Sequence, residues 1–199
     1  MYRQPSSLVL ILANLVPLVG VLVLQWDVLT ILLLYWTESV IVGVINVLRM
    51  VTCQGASSGQ SRYFLIPFFT VHYGAFCYGH LIAVLGFFSD SALDAGVTAA
   101  LEELWQPSYW VVVAAISGSH LFSFFTNFIG RGERKQATPP MLVQRPYGRI
   151  VVMHVAIVVG AGLVDWFGSP MPLLLVLIAA KTVLDLKLHE KERRKLDPL

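Results

Sequence analysis

The residues of this sequence best suited to chemistry are one acid and two histidines inside long apolar stretches. Glu38, His72 and His120 lie ten or eleven positions from the arginines that end those stretches on one side. Because a helix rises about 1.5 Å per residue, the three side chains are level, roughly 15 to 17 Å from that boundary. Two imidazoles and a carboxylate can bind zinc or another divalent metal and leave a position open for water. The spacing therefore predicts a metal site at Glu38, His72 and His120.

Further polar residues lie nearer the same boundary. His154 and Lys181 are roughly 7 to 9 Å from it by the same count. A metal-bound water loses its proton near neutrality, so we expect Glu38, His154 and Lys181 to act as catalytic acid, base or proton-relay groups. Haem held by two histidines from different helices is the less favoured cofactor. His80 lies nearer the opposite face and is left out of the predicted site.

Each of these residues also has a purely structural explanation. A protonated Glu38 can hydrogen-bond across helices, and His72 and His120 can be neutral hydrogen-bonding groups between helices. Lys181 and Asp185 are four residues apart, a spacing at which two charges on a helix satisfy each other. No local ligand motif such as HExxH is present, so both explanations stay open.

Composition places these residues in a membrane. The chain is 56% hydrophobic and 13% charged, with a mean hydropathy of +0.71, whereas soluble domains carry about 25% charged residues. A helix needs about 20 apolar residues to cross a bilayer. We predict an all-α fold, a six-helix transmembrane bundle forming one domain over residues 1–199. The predicted spans are residues 7–26, 28–50, 63–88, 109–130, 150–166 and 171–188, followed by a charged tail at 189–199.

The connections between spans predict the topology. Leu93, Val97, Leu101 and Leu104 recur at helical spacing, which indicates a short amphipathic surface helix between the third and fourth spans. Lysines and arginines lie at both termini and after the second and fourth spans, but not in the connections after the first, third and fifth. Short cytoplasmic loops are enriched in these residues. We therefore expect both termini in the cytoplasm and a polar site that opens toward it.

Four stretches carry a resemblance to known proteins: YWTESVIVGVINVLRM, FFTVHYGAFCYGH, RPYGRIVVMH and KTVLDLKLH. Together they resemble a family of bacterial multi-span membrane proteins classed as a domain of unknown function, over nearly the whole chain. The resemblance implies a shared helical fold in a bacterial inner membrane and implies no reaction. Its characteristic segments contain Glu38, Asn46, His72, Arg145, Tyr147, Arg149, His154 and Lys181. The chain is also distantly similar to intramembrane zinc hydrolases of the ceramidase and adiponectin-receptor type, as an analogy only.

Three functions are compatible with these observations. The first is a metal centre, open to the cytoplasm, that hydrolyses a lipid or amphiphile. The second is a small proton-coupled carrier in which Glu38, histidines and Lys181 titrate in turn, although the outer half has few polar residues and no repeat is visible. The third is a non-enzymatic subunit of a larger membrane complex. Expected partners are membrane lipids, further copies of the chain or other membrane subunits, and no nucleic acid.

Overall fold

The chain is helical throughout the part that the structure describes. The computed structural model describes residues 28–55, 58–88, 97–98, 102 and 104–167. Its α-helices are α1 (Val28–Thr52), α2 (Ser58–Phe88), α3 (Pro107–Ser123), α4 (Pro139–Gln144) and α5 (Tyr147–Phe167). A π-helix at Phe124–Gly130 continues α3, and a 3-10 turn follows at Glu133–Lys135. The predicted first and sixth spans, the tail, Lys181 and most of the predicted surface helix lie outside the described residues.

Four helical segments are long and apolar enough to cross a membrane, which makes this a membrane protein. They are Leu29–Thr52, Ser61–Gly86, Pro107–Gly130 and Pro139–Val159. The all-α class is thus confirmed for the described residues, and the four segments fall on the predicted second to fifth spans. Proline begins α3 and α4, where its missing N–H is no loss because the first turn of a helix has no internal acceptor for it.

α1 and α2 pack closely in opposite directions. Trp36 Nε1 donates to the carbonyl of Cys77 at 2.8 Å, and Tyr73 Oη donates to the carbonyl of Ser39 at 2.9 Å. From the first contact to the second, the residue number rises along α1 and falls along α2, so the two helices are antiparallel. Gly43 permits the close approach, because a Cβ there would lie 2.6 Å from the Tyr73 ring.

α5 runs parallel to α2. His72 of α2 contacts Tyr147, near the start of α5, and His80 contacts His154, so both numberings increase together. Successive spans that cross a membrane in alternation require this arrangement, in which the third and fifth predicted spans share a direction. α2 and α5 therefore form a pair laced by two polar contacts about 10 to 12 Å apart along the helix axes.

The connections at one end of the bundle are joined through their backbones. Gln54 N donates to the carbonyl of Arg134 at 2.7 Å, and Gly55 N donates to the carbonyl of Ala137 at 3.0 Å. A Cβ at Gly55 would lie 2.6 Å from that Ala137 oxygen, so the approach depends on glycine. The two connections with most of the internal basic residues therefore lie on the same face of the bundle.

Among the described residues, two apolar clusters form the core, one toward each end of α1. The first includes Leu32 and Val84, and the second includes Met50, Phe69 and Phe128. Residues 29–34 of α1 contribute to the first cluster, and residues 45–50 of α1 together with Cys53 contribute to the second. The interval between them on α1 contains the candidate site.

Candidate functional site

The half-buried acid of α1, Glu38, is paired with an arginine of α5. Arg149 Nη1 donates to Glu38 Oε1 at 2.6 Å, and the side chains are 28% and 12% exposed respectively. An ionised group at mid-membrane costs at least about 2.5 kcal/mol, and such groups are accordingly found paired. The guanidinium supplies the counter-charge that the carboxylate needs, through a short charge-assisted hydrogen bond.

A histidine of α3 lies on the same carboxylate oxygen. His120 Nε2 is 3.7 Å from Glu38 Oε1, and the imidazole is 25% exposed. This separation is longer than a hydrogen bond but short enough for a strong charge interaction when the imidazole is protonated. Glu38, His120 and Arg149, here called the Glu38 cluster, thus join α1, α3 and α5 at one oxygen atom.

The helix that carries His120 changes its winding one turn later. The π-helix at Phe124–Gly130 begins four residues after His120 and buries Phe124 and Phe128. Short π-helical segments are rare and frequently occur at functional sites, because the wider turn shifts the register of the side chains that follow. The π-helix buries Phe124 and Phe128 one turn beyond the histidine that contacts Glu38.

The position of Arg149 corrects a sequence-based expectation. The sequence predicts a basic loop over residues 131–149 and a span that begins at Ile150. In the structure a short helix, α4, already begins at Pro139, and Arg149 is the third residue of α5, which begins at Tyr147. Leu142 is fully buried, and its carbonyl accepts a 3.0 Å hydrogen bond from Asn46 Nδ2, which draws α4 into the bundle. Arg149 is thereby held next to Glu38.

His72 has a partner of its own. Its Nδ1 lies 2.7 Å from Tyr147 Oη, and its ring stacks on Phe68 with 5.1 Å between centroids. The structure thus brings Glu38 and His120 together and ties His72 to Tyr147. In the part of the chain that the structure describes, no three His, Cys, Asp or Glu side chains are grouped closely enough to hold a metal ion. The three-ligand metal site stays a prediction.

His154 also lies apart from its expected position. Its Nδ1 is 3.3 Å from His80 Nε2, so it contacts the histidine that the sequence-based prediction leaves out. Because it follows Arg149 by five residues, it lies roughly 7 to 8 Å further along α5, away from Pro139. The depth count from the sequence places His154 nearer the cytoplasm than Glu38, because it takes Arg149 as the membrane boundary. The third predicted catalytic residue, Lys181, is outside the described residues.

The cluster combines a carboxylate, an imidazole and a guanidinium. Protonating the Glu38 carboxylate would remove the negative charge that attracts the Arg149 guanidinium. An anionic group could then pair with the guanidinium in place of the carboxylate. Sequence reasoning missed Arg149, Tyr147 and His80 as partners. The available signal was the Pro139–Pro140 pair, which is typical of a helix start and indicates that helical structure precedes Ile150.

At least four apolar helices with an ion pair midway along one of them define a multi-span helical membrane protein. The chain belongs to a family of unknown function, DUF6498, whose sequence profile matches residues 1–198. The resemblance to a family of unknown function over nearly the whole chain is thereby confirmed. Searches of curated proteins and of solved structures found no significant match.

Proposed function

We propose that the protein is a small proton-coupled carrier of organic or inorganic anions and that the Glu38 cluster is its coupling site. The observation that carries the proposal is the pair of contacts at one atom. Glu38 Oε1 is 2.6 Å from Arg149 Nη1 and 3.7 Å from His120 Nε2. A proton acceptor, a permanent cation and a second titratable group therefore meet on three different helices.

Coupling follows from charge balance at the cluster. When Glu38 takes up a proton, for which His120 is the adjacent donor, the carboxylate loses its charge and its attraction for Arg149. The guanidinium then pairs with an incoming anion, which replaces the lost negative charge in surroundings where an unpaired charge is costly. Proton and anion bind in the same step. Release of both restores the Glu38–Arg149 ion pair.

The cluster also offers a route to a change of shape. Its three residues tie α1, α3 and α5 together, so breaking the ion pair changes the contacts among three helices. A ligand shifts a conformational equilibrium when it binds one state better than another. An anion that binds only when Glu38 is protonated binds the state in which the ion pair is open better than the state in which it is closed. It therefore shifts the equilibrium toward the open state.

Polar residues lie along the bundle on both sides of the cluster, with Asn46 and His80 buried inside it. Asn46 lies toward the Thr52 end of α1, and the His80–His154 contact lies beyond Arg149 toward the opposite end. The sequence alone counted against a carrier because the outer half has few polar residues. The position of His154 weakens that objection.

The proposal includes a topology. We place six spans in a bacterial inner membrane, with both termini in the cytoplasm, because lysines and arginines concentrate in the connections after the second and fourth spans. The backbone joining of those two connections supports their assignment to the same face. The end of the bundle near Thr52 and Arg131 is then cytoplasmic.

Flux in proteoliposomes tests the carrier. Purified full-length protein is reconstituted into liposomes, and the pH is set acidic outside and neutral inside. Uptake of radiolabelled carboxylates and phosphate is then measured. We expect gradient-driven uptake of at least one of these anions, reduced about tenfold or more in Glu38→Gln, because that amide takes up no proton. The matched control is Glu133→Gln, which removes an exposed acid from the 3-10 turn. Uptake no faster than in empty liposomes for every anion would contradict the proposal.

A metal-dependent hydrolase of lipids or amphiphiles is the second candidate, favoured by the 3.7 Å between Glu38 Oε1 and His120 Nε2. Two ligands about 2.0 to 2.1 Å from zinc can be this far apart. Arg149 on the same oxygen opposes it, since a guanidinium repels a metal cation. Elemental analysis distinguishes the hydrolase from the carrier when it is applied to purified wild type, Glu38→Gln, His120→Ala and His72→Ala. Stoichiometric zinc that all three substitutions remove would favour the hydrolase and displace the carrier.

A further inference from the structure

One peptide group of the connection between α1 and α2 lies between two arginines. Its carbonyl, on Cys53, accepts a 2.5 Å hydrogen bond from Arg62 Nη2. Its N–H, on Gln54, donates to the carbonyl of Arg134 at 2.7 Å. With standard peptide dimensions, Arg62 Nη2 and the Arg134 carbonyl oxygen are therefore at most about 8 Å apart. The guanidinium of one arginine and the backbone of the other thus meet at the same point of the joined connections.

Both arginine side chains keep hydrogen-bond donors to spare. A guanidinium carries five N–H groups. Nε of Arg62 and Nε of Arg134 are shielded from solvent, and within the described residues neither has a hydrogen-bond acceptor. A buried N–H without an acceptor is costly, and more so on a charged group. The two side chains therefore carry donors suited to the oxygen atoms of a ligand.

The joined connections also carry an excess of positive charge. Residues 49–62 and 131–138 contain five arginines and lysines and one acid, Glu133, whose side chain is exposed. The ion pairs found among the described residues do not include Arg62 or Arg134. Half-buried positive charge without a carboxylate partner favours an anion as the ligand.

A phosphate group fits these donors and this charge. A guanidinium binds phosphate through two parallel N–H···O hydrogen bonds, and arginine is the preferred side chain for this recognition. Basic pockets between membrane spans bind the phosphorylated head groups of lipids in the same way. We propose that Arg62 and Arg134 bind one phosphate group at the joined connections, carried either by an anionic phospholipid or by a soluble phosphate.

The site lies far from Glu38 and does not depend on the proposed carrier. Cys53 follows Glu38 by fifteen residues, roughly 22 Å along α1. Guanidinium groups keep their charge at every physiological pH, so binding here needs no proton uptake. Phosphate binding at this site should therefore be the same in Glu38→Gln as in wild type, whether or not the protein transports anions.

Titration calorimetry tests the site. Purified full-length protein in a neutral detergent is titrated at fixed ionic strength with inorganic phosphate and, separately, with dioctanoyl phosphatidylglycerol. We expect saturable binding of about one equivalent of at least one probe, weakened about tenfold or more in Arg62→Gln and in Arg134→Gln, because glutamine lacks the charge and the fork of donors. Saturable binding of neither probe would overturn the proposal.

The two probes also identify the source of the phosphate group, because the one that binds more tightly is the natural form, lipid or soluble. Dioctanoylglycerol, which has the same chains and no phosphate, should not bind. The matched control variant is Lys135→Gln, which removes an exposed positive charge next to Arg134. It should bind as wild type does. An equal loss in Lys135→Gln, or equal binding of dioctanoylglycerol, would overturn the assignment.

A second measurement keeps the wild-type side chains, since loss of the bond from Arg62 to Cys53 could disturb folding in Arg62→Gln. Phenylglyoxal modifies accessible guanidinium groups, and mass spectrometry of the digested protein reports each arginine separately. The bound probe should slow modification of Arg62 and Arg134, which are half-buried, and leave the exposed Arg145 unaffected. Equal modification of Arg62 and Arg134 with and without saturating probe would overturn the proposal.

Discussion

Arg149 and Glu38, 111 positions apart in the chain, are joined by a hydrogen bond of 2.6 Å between Nη1 and Oε1. The bond ties α5 to α1 at the interval between the two apolar clusters of the core. It explains how a carboxylate can lie midway along a helix that is otherwise almost entirely apolar. It also gives the molecule one interaction that a single proton can break.

Replacing Arg149 by leucine should destabilise the protein by leaving Glu38 without its counter-charge. We expect a loss of about 2 to 3 kcal/mol in the free energy of unfolding, less than the roughly 3 to 5 kcal/mol for fully buried pairs because Arg149 is partly exposed. Thermal unfolding in detergent measures it. The double variant Glu38→Leu/Arg149→Leu should recover part of the loss, since neither charge is left alone. Additive losses in the double variant would show that the two residues are not coupled.

Enlarging Gly43 should loosen the contact between α1 and α2. A Cβ at this position would lie 2.6 Å from the Tyr73 ring, so Gly43→Ala forces the ring or the helices apart. Overpacking of this kind costs about 1 to 3 kcal/mol, which a lowered unfolding temperature reports. The matched control is Gly74→Ala, where an added Cβ meets nothing within 4 Å. If both variants unfold at the same temperature, the close approach at Gly43 is wrong.

Chemical labelling should locate the two faces of the bundle. In a background with Cys53→Ser and Cys77→Ser, we place single cysteines at the exposed positions Lys135 and Gln106. We expect a membrane-impermeant maleimide to label Gln106→Cys in intact bacterial cells and Lys135→Cys only after the membrane is opened, because the basic connections are cytoplasmic. Labelling of Lys135→Cys but not Gln106→Cys in intact cells would mean that the topology is the reverse of the one proposed. Labelling of both variants in intact cells would exclude the proposed topology.

The sequence predicted the helices better than it predicted their depth. Long apolar runs suffice to identify α1, α2, α3 and α5, since a span needs little beyond length and hydropathy. The depth of each residue depended on a marker for the membrane boundary. Arg149 was used as that marker, but it contacts Glu38, a residue that the same count places roughly 15 to 17 Å from the boundary.

Partners across helices were harder to predict than the polar residues themselves. Glu38 and His120 were expected to be level, and the structure brings them within 3.7 Å. His72 was expected at the same depth and instead contacts Tyr147, because level residues on neighbouring helices meet only if their faces also turn toward each other. The rotation of a helix about its axis is set by packing, here by contacts such as Tyr73 against Gly43, and a single sequence gives little information on it.

Proton movement driven by an anion gradient tests the coupling at Glu38 most directly. Liposomes with a pH-sensitive dye inside, equal pH on both sides and an inward gradient of a transported anion should acidify when they contain wild type or Glu133→Gln. With Glu38→Gln the interior pH should stay constant, because the residue that takes up the proton is gone. Acidification at the wild-type rate in Glu38→Gln would contradict the account.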